Sequence, residues 1–163
     1  MKTLYLVRHA KADSNDDKLP DFERPLTKRG IENANEMAGR FLNKNPIPEL
    51  IISSPAMRAL TTAQIFAKKF EINNTQIEKD PEIYESEVSD LLRIINSQTE
   101  QINSLMIFGH NPTFFDLVNY LNPTSVHDFP TCSIAKLEFQ KNKWNLISKS
   151  SGKLIYFDFP NNK

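Results

Sequence analysis

Three short runs in this chain are apolar at every position: residues 4–7, 50–52 and 105–108. Side chains alternate between the two faces of a strand, so a strand apolar throughout needs cover on both sides. Parallel sheets sandwiched between helices provide that. The stretches between the runs carry a longer period. Thr27 can cap a helix reaching about Leu42, with Ile31, Ala34, Ala38, Phe41 and Leu42 on one stripe, and Pro46 and Pro48 end it. Ser54-Pro55 fits an N-cap followed by proline at the first helical position. That helix should run to about Phe70, with Leu60, Ala63, Phe66 and Phe70 inward. Ser89 is placed to cap a short helix carrying Leu91, Leu92 and Ile95, and residues 114–121 read as helical. Residues 11–24 are polar, hold Pro20 and read as a loop, and a weak strand is expected at 76–79. Toward the C-terminus the pattern changes: 134–139, 144–148 and 154–159 are strand candidates parted by QKNK and SSGK turns. The predicted fold is α/β, a single domain over residues 1–163. It has three α/β/α layers, a mostly parallel central sheet and an antiparallel edge addition near the C-terminus.

Composition narrows the function classes. Twenty basic residues balance twenty acidic ones, which removes bulk attraction to nucleic acid or anionic membranes but permits a local cationic pocket. Cys132 is the single cysteine, so no intrachain disulfide or multi-cysteine metal site can form, and it reads as a small buried hydrophobe. The first apolar run stops at Val7, too short for a signal peptide, and no run approaches the roughly 20 residues that span a bilayer. A cytoplasmic location is the expectation.

The chemistry gathers where the apolar runs end. The first runs into Arg8-His9, the second into Ser53-Ser54-Pro55 with Arg58 shortly after, and the third into Gly109-His110-Asn111-Pro112. In parallel α/β sheets, ligands bind outside the carboxyl ends of the strands. Consecutive strand residues face opposite ways, so Arg8 and His9 can serve one pocket only if the chain leaves strand geometry there. Ala10 and Gly109 would let the backbone come close. Two arginines and two histidines without matching carboxylates call for an anion, and the planar arginine fork suits phosphate. Amides at the start of the second helix would add partial positive charge. An imidazole among such cations is pushed toward its neutral form, leaving a lone pair free to attack phosphorus.

VRHA at 7–10, RPLTKRG at 24–30, SSPAMRALTTA at 53–63, FGHNP at 108–112 and FPTCSIAKLEF at 129–139 follow one another along nearly the whole chain. In that order they resemble the histidine phosphatase superfamily, the phosphoglycerate-mutase-like fold, and look closest to its small SixA-type phosphohistidine phosphatases. The resemblance implies that His9 is the nucleophile that becomes phosphorylated. Arg8 and Arg58 would clamp the phosphoryl oxygens, and His110 would stabilise the group in transfer. It implies no cofactor and no metal. The pattern departs in two places. Thr61-Thr62 stands where the family carries glutamine and threonine, and no clear counterpart exists for the glutamate with which larger members protonate the leaving oxygen. Glu82 and Glu85 are the candidate general acids. A missing acid would favour a phosphoramidate over an unactivated ester, since imidazole leaves more readily than an alkoxide.

The expected activity is thus that of a metal-independent phosphatase working through a phosphohistidine intermediate. Its partner would be a protein carrying phosphohistidine, and inorganic phosphate the product. A phosphatase or mutase for small phosphate esters is the second reading, and a non-catalytic phosphate-binding module the third. Arg24 is expected to tie the RPLT turn to an acidic neighbour, and His127, Lys11 and Lys18 to lie on solvated loops.

Overall fold

The computed structural model describes residues 1–15 and 17–162. Among them, strands β1 (Lys2–Arg8), β2 (Leu50–Ser53), β3 (Ile77–Lys79), β4 (Ser104–Gly109), β5 (Ile134–Phe139) and β6 (Gly152–Asp158) form one sheet, in the order β3-β2-β4-β1-β5-β6. β1, β2, β3 and β4 pair in parallel, and β5 joins β1 and β6 by antiparallel ladders. The apolar runs occupy the middle of this sheet, where each residue meets a helical layer. Tyr5, Val7, Ile51, Met106 and Phe108 pack beneath α1 (Lys28–Lys44) and α2 (Met57–Lys69), against Ala34, Met37, Phe41, Ala63 and Phe66. Leu4, Leu6, Ile52, Leu105 and Ile107 face the other way, toward Leu91 and Ile95 of α3 (Val88–Asn96) and Leu117 and Leu121 of α4 (Thr113–Leu121). Truncating a ring such as Phe108, fully buried, to alanine would cost about 3–5 kcal/mol. The fold is the expected three-layer α/β/α arrangement.

Thr27 caps α1 as expected, its hydroxyl accepting from the Gly30 N–H at 2.9 Å. Gly30 itself is required: a Cβ there would lie 2.3 Å from the Lys11 carbonyl oxygen, where the loop crosses the helix start. Several local expectations differ. Ile31 is 43% exposed and Met37 takes the inward place, because the stripe follows Ala34, Met37, Ala38 and Phe41. Neither Ser54 nor Pro55 begins α2, whose N-cap is Ala56 without a side-chain bond, for the Ser54 hydroxyl is engaged elsewhere. Glu87, not Ser89, caps α3, in a reciprocal capping box with Asp90. Residues 144–146 form a 3-10 turn rather than a strand. Trp144 donates from Nε1 to the Ile102 carbonyl, and Asn96 bonds the carbonyls of Trp144 and Ile147, so this segment is tied to α3 and not to the sheet.

Candidate active site

The carboxyl ends of the three central strands stand side by side, Arg8 in register with Gly109 and Ser53 with Phe108. β1 ends at Arg8, and His9 leaves the ladder: its N–H donates to the Gly109 carbonyl and its carbonyl accepts from Cys132. That departure lets adjacent residues serve one place. Gly109 is set by close packing, since a Cβ there would lie 2.6 Å from the Phe114 ring. His9 and His110 come together with ring centroids 5.3 Å apart, and the charges of Arg8 and Arg58 act on both rings. The four residues expected at the site are therefore gathered in space.

Hydrogen bonding fixes the state of His9. Its Nδ1 lies 2.7 Å from the Ala10 carbonyl oxygen, which can only accept, so Nδ1 carries the proton and Nε2 keeps its lone pair. Burial, then Arg58, Arg8 and Arg24, depress the His9 pKa to about 4. Ala10 is held in turn by Thr62, whose hydroxyl accepts from the Ala10 N–H and donates to the Arg58 carbonyl. His110 is depressed to about 3, by burial first and then by His9 and Arg58. Its Nε2 lies 2.8 Å from the Ser54 hydroxyl, which also accepts from the Ala56 N–H.

Four buried side-chain polar atoms among the described residues lack a hydrogen-bond partner, and three are nitrogens of this site: Arg8 Nε, Arg58 Nε and His110 Nδ1. Buried donors left unpaired are costly, and one oxyanion would satisfy several of them together. The protein holds one terminal nitrogen of Arg8 and both of Arg58. Arg8 Nη1 donates to the Phe129 carbonyl at 2.9 Å, and Asn111 Nδ2 donates to that same oxygen. Arg58 Nη1 and Nη2 donate to the Asp21 carbonyl and carboxylate, at 2.8 and 3.0 Å.

Asp21 extends the site in a direction that spacing did not suggest. It opens a 3-10 turn, Asp21–Glu23, and its half-exposed carboxylate takes bonds from Arg24, Arg58 and the Tyr84 hydroxyl. Tyr84 lies edge-on to His110, with centroids 5.7 Å apart. The expected tie from Arg24 to an acidic neighbour is this bond to Asp21, and Arg24 also lends positive charge to His9. Glu82 is exposed and pairs with Arg93 at 3.4 Å, and Glu85 is exposed beside Tyr84. Neither is bonded to the four gathered residues. Cys132 is buried, its thiol pushed up to about 12, and His127 is exposed in a cleft of about 360 Å³ with Val126, Pro130 and Phe157. Ser54, Thr62, Asn111, Asp21 and Tyr84 were not singled out as site residues from the sequence. Ser54, Thr62 and Asn111 stood inside the quoted motifs, whereas Asp21 and Tyr84 carried no signal.

No group of three metal-ligating residues is assembled among the described residues, and no helix there is long and apolar enough to cross a membrane. The family model described as histidine phosphatase superfamily, branch 1, matches residues 4–106. An uncharacterised chloroplast protein of Arabidopsis thaliana is 28% identical over 93% of this chain and 72% of its own length. A crystal structure from Agrobacterium tumefaciens, named as a candidate phosphohistidine phosphatase SixA, is 28% identical and superposes with a TM-score of 0.82, covering 98% of this chain and 99% of that one. The protein histidine phosphatase SixA complexed with tungstate shares the fold at 23% identity, with a TM-score of 0.83 and 98% of each chain covered.

Proposed function

The chain belongs to the histidine phosphatase superfamily, and on that premise we propose that it is a metal-independent phosphatase that removes phosphate from phosphohistidine in a protein partner. The observation that carries this reading is the trio of unpaired buried nitrogens, from three segments far apart in sequence, around a histidine whose Nε2 is free. An oxyanion would take Arg8 Nε and Arg58 Nε as charged donors, and His110 Nδ1 once the Ser54 hydroxyl donates to Nε2. The neighbour bound to tungstate, a tetrahedral oxyanion, supports the same use of the fold.

The reaction then runs in two displacements. His9 Nε2 attacks phosphorus, the bond from phosphorus to the leaving nitrogen breaks with its electron pair, and the imidazole departs neutral if its distal nitrogen was already protonated. Water next attacks phospho-His9, the phosphorus–Nε2 bond breaks, and phosphate leaves with His9 restored. Arg8 and Arg58 balance the charge on the phosphoryl oxygens throughout, the main lever in phosphoryl transfer. An unactivated ester would need a proton for its alkoxide. Glu82 and Glu85 are the candidate donors, and their exposed positions favour the nitrogen-linked substrate. A competition assay tests the reading. A phosphohistidine peptide should be hydrolysed faster than glycerate, sugar or other alkyl phosphates, with no loss of rate in a chelator. Faster turnover of the small esters would overturn the substrate assignment, and loss of activity in chelator would overturn metal independence.

A further inference from the structure

The carboxylate at the mouth of the pocket points to a further determinant. Asp21 bonds both terminal nitrogens of Arg58, so it stands at the outer end of that guanidinium, while His9 lies buried at the inner end of the site. In-line displacement puts the leaving group opposite the attacking nitrogen, hence toward the mouth. Asp21 is therefore on the leaving-group side, and its charge is felt as far in as His110.

The carboxylate cannot act there as an acid. Its Oδ1 accepts from Arg24 Nε and Nη2 at 3.1 and 2.7 Å, and its Oδ2 from Arg58 Nη2 at 3.0 Å and the Tyr84 hydroxyl at 2.7 Å. Four donors fill the acceptor sites of an ionised carboxylate and leave no place for a proton. The Tyr84 bond first, then those arginines, hold it ionised to about pH 2. The phenolic proton of Tyr84 is itself committed to Oδ2.

We infer that Asp21 is a selectivity residue: a fixed anion at the mouth that favours phosphoryl donors whose leaving nitrogen carries a positive charge when bound. Resting on the phosphatase reading above, the inference adds what chooses among donors. A protonated phosphoimidazole is cationic before the phosphorus–nitrogen bond breaks and leaves as neutral imidazole, so the carboxylate stabilises its reactive form and supplies no proton. An aryl phosphate brings no cation.

The test compares N-phosphoimidazole with 4-nitrophenyl phosphate, whose leaving group needs no acid, in the unaltered protein, Asp21→Asn and Asp21→Glu. Asp21→Asn should lower the ratio of the two kcat/KM values about tenfold, the worth of one partly screened charge several ångströms away. The pH at which phosphoimidazole turnover declines should move down by about one unit with it. Asp21→Glu should restore both. A ratio and a pH midpoint unchanged in Asp21→Asn, whether the two rates hold or fall in parallel, would show that Asp21 serves only to brace Arg58 and would overturn the inference. Failure of the unaltered protein to turn over either donor would overturn the phosphatase reading as well, which separates the two failures.

Discussion

The two arginines of the pocket are held in opposite ways. Arg8 is hydrogen-bonded to a neutral carbonyl, that of Phe129, which Asn111 shares, and the Asp128 carboxylate reaches it only through its charge. Arg58, the more buried of the two, is bonded directly to a carboxylate, with Tyr84 and Arg24 on the same group. A cation bonded to a carbonyl keeps more of its charge for a ligand than one bonded to a carboxylate. The Arg8 wall is thus built to bind any phosphoryl group, and the Arg58 wall, with its carboxylate at the mouth, to be responsive to what the phosphoryl group is attached to.

Removing the arginines one at a time is the strongest way to break that contrast. Arg8→Ala and Arg58→Ala should each lower kcat/KM by roughly 100- to 1,000-fold, the loss typical of one oriented donor to a developing charge. The variants should part when Asp21→Asn is added. With 4-nitrophenyl phosphate as the donor, the Asp21 carboxylate in the Arg58→Ala background is left with Arg24 alone and repels phosphate, so the second change should regain about 3- to 10-fold. In the Arg8→Ala background the gain should be smaller, because Arg58 still offsets part of the Asp21 charge. Equal responses in the two backgrounds would erase the distinction between the walls.

A smaller effect concerns stability against pH. The unfolded chain protonates its histidines near pH 6.5, while His9 and His110 in the fold resist protonation down to about 4 and about 3. Between those values the unfolded state binds more protons, so stability is fully present above pH 6.5 and falls as pH drops toward 4. His9 alone should contribute a loss of about 3 kcal/mol over that window. Urea unfolding at pH 7 and pH 4.5 should show less decline in His9→Gln than in the parent. Both walls help set this depression, so phosphate, bound between them, should blunt it.

The difference between the walls also marks what the sequence disclosed. Arg8, His9 and His110 were legible because each lies within two residues of the end of an apolar run, and a parallel sheet brings such ends together. Arg58 was legible through its motif. The supports of the Arg8 wall and of His110 stood close to those signals: Asn111 adjoins His110, and Ser54 stood in a motif, though its proline neighbour suggested a helix cap rather than a partner for His110. The supports of Arg58 left no such trace. Asp21 meets Arg58 across 37 positions and Tyr84 across 63, from a polar loop that resembles any solvated surface. Periodicity reports burial, and Asp21 is half exposed while Tyr84 is only partly buried. The same limit explains 144–148, whose apolar residues fit a strand but whose bonds to Asn96 made a turn.

Trapping the covalent intermediate tests the central claim most directly. Brief incubation with a labelled phosphohistidine peptide, followed by alkaline denaturation and peptide mapping, should find an acid-labile, base-stable phosphoryl group on His9. It should be absent in His9→Ala and should form more slowly in Arg8→Ala. Turnover of the peptide with no label on His9, or with labelling unchanged in His9→Ala, would contradict the mechanism.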